Sequence, residues 1–152
     1  MAVAVTLHLL AAVVWVGGMF FAYVALRPAA GRVLAPEQRL PLWSQTLGRF
    51  FVWVWTAIIL LPATGLWMVF NGLGGFAKAG LFVHFMTATG TLMILLFLHL
   101  FFAPYRRLRQ AVKQSDLRAA AANLAHIRSI VLINLVLGLI VTVIGASGPY
   151  WS

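Results

Sequence analysis

Four histidines, His8, His84, His99 and His126, are the residues of this chain best equipped for chemistry. A neutral imidazole binds metals and serves as an axial ligand to haem. His84 and His99 share one uncharged apolar run, residues 80–103, long enough to cross a bilayer as a helix. Their spacing of fifteen residues puts the two rings roughly 22 Å apart along that helix and about 60° apart around it. One histidine therefore belongs near each membrane face, on one side of the helix. Ionisable side chains at such positions are expensive and point to function first.

The elements that must hold these histidines follow from composition. The chain has 152 residues, 63% hydrophobic and 9% charged, where a soluble domain is about a quarter charged. So much apolar surface cannot be hidden inside so small a globule, and part of it must face lipid. Four spans stand out, at about 2–26, 47–70, 80–103 and 126–146. They predict an all-α, single-domain, four-helix transmembrane bundle covering residues 1–152. The first span lacks a basic leader and is longer than a signal peptide's apolar core, so it is read as a retained helix. Residues 27–45 carry Arg27, Pro28, Arg32, Pro36, Glu37, Arg39 and Pro41 and read as an aqueous loop. Pro62 lies inside the second span, and Pro104 closes the third. Residues 105–125 are basic and alanine-rich, which predicts an amphipathic segment standing out of the membrane or lying along it.

Charge sets the expected orientation. Ten of the eleven lysines and arginines fall in or beside the first and third connections, with Lys78 alone on the other side. The positive-inside rule then makes those connections cytoplasmic and both termini external, in a bacterial inner membrane. The same rule accounts for the net charge of +9 without a nucleic-acid partner.

Depth sorts the histidines into an outer pair, His8 with His84, and an inner pair, His99 with His126. Two imidazoles at matching depth on two helices are what a six-coordinate b-type haem requires. One or two haem b groups are therefore the first expectation, with His8, His84, His99 and His126 as axial ligands. Ala88, Thr91 and Leu95 share the His84–His99 face, with Thr87 at its edge, and would admit a flat macrocycle. Arg107 and Arg128, with Arg27 and Arg49, are candidates for the inner propionates. The function so implied is electron transfer by a cytochrome b-like protein, with quinone or a periplasmic redox protein as partner. The alternative is copper, bound by the histidines together with Met19, Met68, Met86 or Met93. No Met-x-x-Met or Met-x-Met cluster exists, so core packing accounts for the methionines more simply. A helical assembly subunit without a cofactor, or an oligomer, is the remaining class.

Much else is excluded. With no cysteine, disulfides, thiolate zinc sites and iron–sulfur clusters are ruled out. The only carboxylates, Glu37 and Asp116, lie in expected connections, so no acid–base pair or nucleophile triad can form. Trp15 shares the face of His8 two turns on, and Asn134 is placed mid-membrane to bond another helix.

Two stretches carry a family resemblance. Leu7-His8-Leu9-Leu10 with Trp15-Val16-Gly17-Gly18 resembles the first helix of the copper resistance D (CopD)-type membrane domain. Arg128-Ser129-Ile130-Val131-Leu132-Ile133-Asn134-Leu135 with Gly138 resembles that family's last helix. The resemblance implies a bacterial inner-membrane protein with a copper-transport role. The layout is also similar to HemJ-type protoporphyrinogen oxidases, whose two histidines would correspond to His8 and His84. Those enzymes have a lysine where this chain has Met86, and a glutamate after the asparagine where it has Leu135. Both departures speak against that oxidation.

Overall fold

The computed structural model describes residues 1–150 as an all-α chain, with no strand among them. Four long helices carry it: α1 (Ala2–Val33), α2 (Pro36–Gly72), α3 (Leu81–Lys113) and α4 (Leu117–Tyr150, ending in a 3₁₀ turn). Each is long and apolar enough to cross a membrane. The protein is a multi-pass membrane protein in a lipid bilayer. α1 packs mainly along α2 and α3 mainly along α4, while α4 also touches α1 and α2.

The helices outrun the spans expected from hydropathy. At 1.5 Å per residue the 37 residues of α2 reach about 55 Å, against a hydrocarbon core of about 30 Å. Residues 27–45 are not a loop: only Leu34 and Ala35 are extended, and Pro36 opens α2 at its first turn with Glu37 beside it. A proline there gives up an N–H that has no intrahelical partner anyway, and a carboxylate suits the positive end of the helix.

Nor does Pro104 end the third helix. The backbone widens into π turns at Phe21–Leu26, just before Pro28, and at Phe101–Tyr105, around Pro104. A proline lacks the N–H and pushes against the carbonyl four residues back. The wider turn absorbs both faults and lets the helix run on.

The segment 105–125 is accordingly a helical hairpin continuous with the bundle, its core shared with Leu40, Trp43 and Leu47 of α2. Leu108, Ala111, Ala120 and Leu124 are buried in its seam, and Arg106, Arg107 and Arg109 lie outside it. Its turn is tight. The Asp116 N–H donates to Ala111 O at 2.9 Å and the Ser115 N–H to Val112 O at 3.2 Å, with Ser115 left-handed at φ 57°. This is a Schellman closure of α3. Asp116 then caps α4 by accepting from the Ala119 N–H at 2.9 Å. At the opposite end, Gly74 and Gly75 turn the chain at φ +74° and +95°, angles that favour glycine.

In lipid, helices associate through close packing rather than through the hydrophobic effect. Small residues supply it here. A methyl on Gly18 would enter the Phe50 ring, and one on Gly138 would sit 2.9 Å from Val16 and 3.2 Å from Met93. Beside Gly138, Asn134 donates from Nδ2 to Met93 O at 3.2 Å, binding α4 to α3 as its mid-membrane position predicts. Met19 and Met93 are core residues, and Met86 packs on Gly145.

Candidate functional site

The centre of the bundle is aromatic. Phe97 of α3 lies 6.3 Å from Trp15, 5.3 Å from Phe51 and 5.5 Å from Trp55, each near edge-to-face. Phe51 in turn meets Tyr105 at 4.8 Å. Phe97 therefore fixes which side of α3 points inward. Measured from it, His84 lies about 140° and His99 about 200° around the helix. The two histidines do share a side, but that side faces away from the bundle, and both residues are exposed.

The outer pair is consequently not assembled. His8 shares the inward face of Trp15, and its Nδ1 lies 2.8 Å from the Thr64 hydroxyl of α2. That hydroxyl spends its own proton on Leu60 O at 2.6 Å. The hydroxyl oxygen is thus the acceptor and His8 Nδ1–H the donor, which leaves His8 Nε2 unprotonated in the neutral ring. His84 instead lies against Phe76, with ring centroids 5.8 Å apart. A bis-histidine haem between His8 and His84 does not fit this arrangement. The interior between α1 and α3 is filled by Trp15 and Phe97, and His84 points outward.

The inner pair is assembled. The imidazoles of His99 on α3 and His126 on α4 have centroids 5.9 Å apart and planes 54° apart. Two imidazoles on one metal ion in linear array would have centroids about 6 Å apart, from a metal–nitrogen distance of about 2.0 Å. Among the described residues no group of three or more His, Cys, Asp or Glu could hold a metal, so an ion here would have two ligands of those types from one chain. Zinc asks for four and Cu(II) for a tetragonal set. Two-coordinate Cu(I) is satisfied by a pair. A haem iron would set the same separation of the two rings, but their exposed position offers no walls to hold a macrocycle between them.

The arginines considered for propionates divide. Arg107 and Arg49 are exposed and do not line the pocket that holds the others. Arg128 joins Arg27 and Arg39 in a pocket of about 380 Å³, lined also by Tyr23, Pro28 and Gly31. Arg27 stacks over the Tyr23 ring at 4.7 Å, one helical turn away. Sequence reasoning took Arg39 only as a topogenic charge, and passed over Tyr23 and Thr64. The i,i+4 spacing of Tyr23 and Arg27 was the available signal. For Thr64 and Arg39, partners distant in sequence give none.

Comparison with known proteins agrees with this architecture. The family described as copper resistance protein D matches residues 44–147, and the chain belongs to that family. The matched region holds His84, His99, His126 and the last-helix motif, while His8 and the first-helix motif lie outside it. No curated protein and no solved structure matches the chain. The likeness to HemJ-type oxidases has no further support, and Met86, packed on Gly145, stands where their lysine would.

Proposed function

We propose that this protein binds copper ions at the bacterial inner membrane and passes them on, as a CopD-type transport protein. Its basic end faces the cytoplasm, its termini lie outside, and His99 and His126 are the copper ligands. Family membership over residues 44–147 is the observation that carries the copper reading. The 5.9 Å approach of His99 to His126 supports the choice of ligands. Polar rings on the lipid-facing side of two helices are costly unless something is gained by them. A shared soft cation rewards both, and imidazole suits copper. Held by only two ligands at an exposed edge, the ion remains accessible to a partner that takes it over, as transport demands.

The test is Cu(I) titration of the purified protein under reducing conditions, with copper quantified per chain. Wild-type protein and His84→Ala should retain one equivalent, and His99→Ala and His126→Ala should each lose it. Retention of copper by both inner-pair variants would overturn the assignment of ligands. Absence of copper binding by the wild-type protein would overturn the function.

A further inference from the structure

The pocket of Arg27, Arg39 and Arg128 plays no part in holding copper, because it carries cations where a metal needs donors. It joins three helices: α1 supplies Tyr23 and Arg27, α2 supplies Arg39, and α4 supplies Arg128. His126 and Arg128 are two residues apart, so the pocket and the imidazole pair lie on nearly opposite sides of α4. No carboxylate lines the pocket. Of the chain's two carboxylates, Asp116 is committed to capping α4, and Glu37 is exposed on the first turn of α2.

Three guanidiniums that share one concave site repel each other, and some ligand must offset that cost. Arg27 is held in place over Tyr23. Arg39 donates from Nη1 to Gly31 O at 3.5 Å, the outer limit of a hydrogen bond. The Nε of Arg128 is buried without any partner, an expensive state for a charged donor. Planar guanidinium forks match the oxygens of a phosphate in geometry as well as charge.

We propose that this pocket binds a phosphate group, supplied by the head of an anionic phospholipid or by free phosphate. Two features favour the lipid. The pocket opens among helices that cross the bilayer, and it lies at their basic end, where basic pockets between helices take anionic head groups. A head group seated there ties α1, α2 and α4 together at the end where the two hairpins leave the membrane.

The full-length protein is purified in neutral detergent and its thermal unfolding followed with phosphatidylglycerol, phosphatidylcholine or inorganic phosphate added. Lipid retained per chain is counted by native mass spectrometry. Phosphatidylglycerol should raise the melting temperature and remain bound, and phosphatidylcholine should not. Arg39→Gln and Arg128→Gln should each weaken binding at least about tenfold, the scale of one charge-assisted hydrogen bond. Arg39→Lys should keep part of it. Arg106→Gln and Arg118→Gln remove the same charge elsewhere on the basic end and should change binding little. Should Arg128→Gln fail to fold, Arg39→Gln decides alone. A response to inorganic phosphate equal to that of the lipid identifies a soluble phosphate as the source, with the pocket unchanged. Equal losses in the control variants would show attraction by diffuse charge and overturn the proposal. So would a protein indifferent to both phosphatidylglycerol and phosphate.

Discussion

His99 and His126 stand with their rings 5.9 Å apart on two helices joined through the tight turn at Ser115 and Asp116. His99 is fifteen residues ahead of Gln114 and His126 ten residues beyond Asp116. The two arms differ by five residues, about 7 Å of helical rise, so the hairpin brings the two rings near each other without matching the depths of their backbones. The seam of Leu108, Ala111, Ala120 and Leu124 keeps the two helices in register between turn and histidines.

A metal ion on this pair should therefore staple the hairpin. Copper that binds only the folded protein stabilises it by about 2.7 kcal/mol at a hundredfold excess over its dissociation constant. Thermal unfolding of the wild-type protein should shift upward with added Cu(I), while His99→Ala and His126→Ala should show no shift. Because each variant leaves the other imidazole alone, the double variant should behave as either single one. Additive losses would mean that the two rings bind separate ions.

The four apolar spans were legible because a bilayer filters for them. Helix ends were not. Hydropathy falls where α3 and α4 leave the membrane, yet Arg106–Lys113 and the alanines after Leu117 are strong helix formers. Pro28 and Pro104 read as breakers because a π turn has no signature in one sequence. The azimuth of His84 and His99 was correct relative to each other and inverted relative to the bundle. Only the contacts of Phe97 with Trp15, Phe51 and Trp55 say which side is inside.

The hairpin turn carries two opposite expectations. Ser115 pays for a left-handed conformation that glycine adopts freely, at about 1 kcal/mol. Ser115→Gly should thus raise stability by up to that amount, less whatever flexibility glycine adds to the unfolded chain. Asp116→Ala removes the cap on Ala119 N–H and should lower stability by about 1 kcal/mol. Chemical denaturation in mild detergent measures both. Unequal signs are the expected result, and a loss in Ser115→Gly would contradict the closure described.

Contact between α1 and α2 depends on the missing side chain at Gly18. A methyl there enters the Phe50 ring, and an aromatic ring cannot be displaced as a flexible chain can. Gly18→Ala should destabilise by about 1–3 kcal/mol, the range for overpacking. Phe50→Leu should restore much of that when combined with it, because the clash disappears. Gly17→Ala, where nothing lies within 4 Å, should be nearly neutral. Equal losses at positions 17 and 18 would show that the Phe50 contact is not the cause, since alanine is the better helix former at both.

His8 and Thr64 make the last case, because their hydrogen bond fixes the imidazole and leaves Nε2 as its free nitrogen. Thr64 is buried, and its hydroxyl is used on both sides: it donates to Leu60 O and accepts from His8 Nδ1. Removing it takes away the hydroxyl that accepts from the imidazole N–H, at a cost of about 1 kcal/mol. Thr64→Val should show that loss in thermal unfolding, and Thr64→Ser should recover most of it. Nitrogen NMR of His8 should report a protonated Nδ1 and a bare Nε2 in the wild-type protein. His8→Ala should be destabilised yet bind copper as the wild type does. Loss of copper together with unchanged stability would reverse the assignment and make His8 a ligand. The same preparations should lack a bis-imidazole haem spectrum, since His84, the ring that would face His8 across a haem, lies exposed against Phe76.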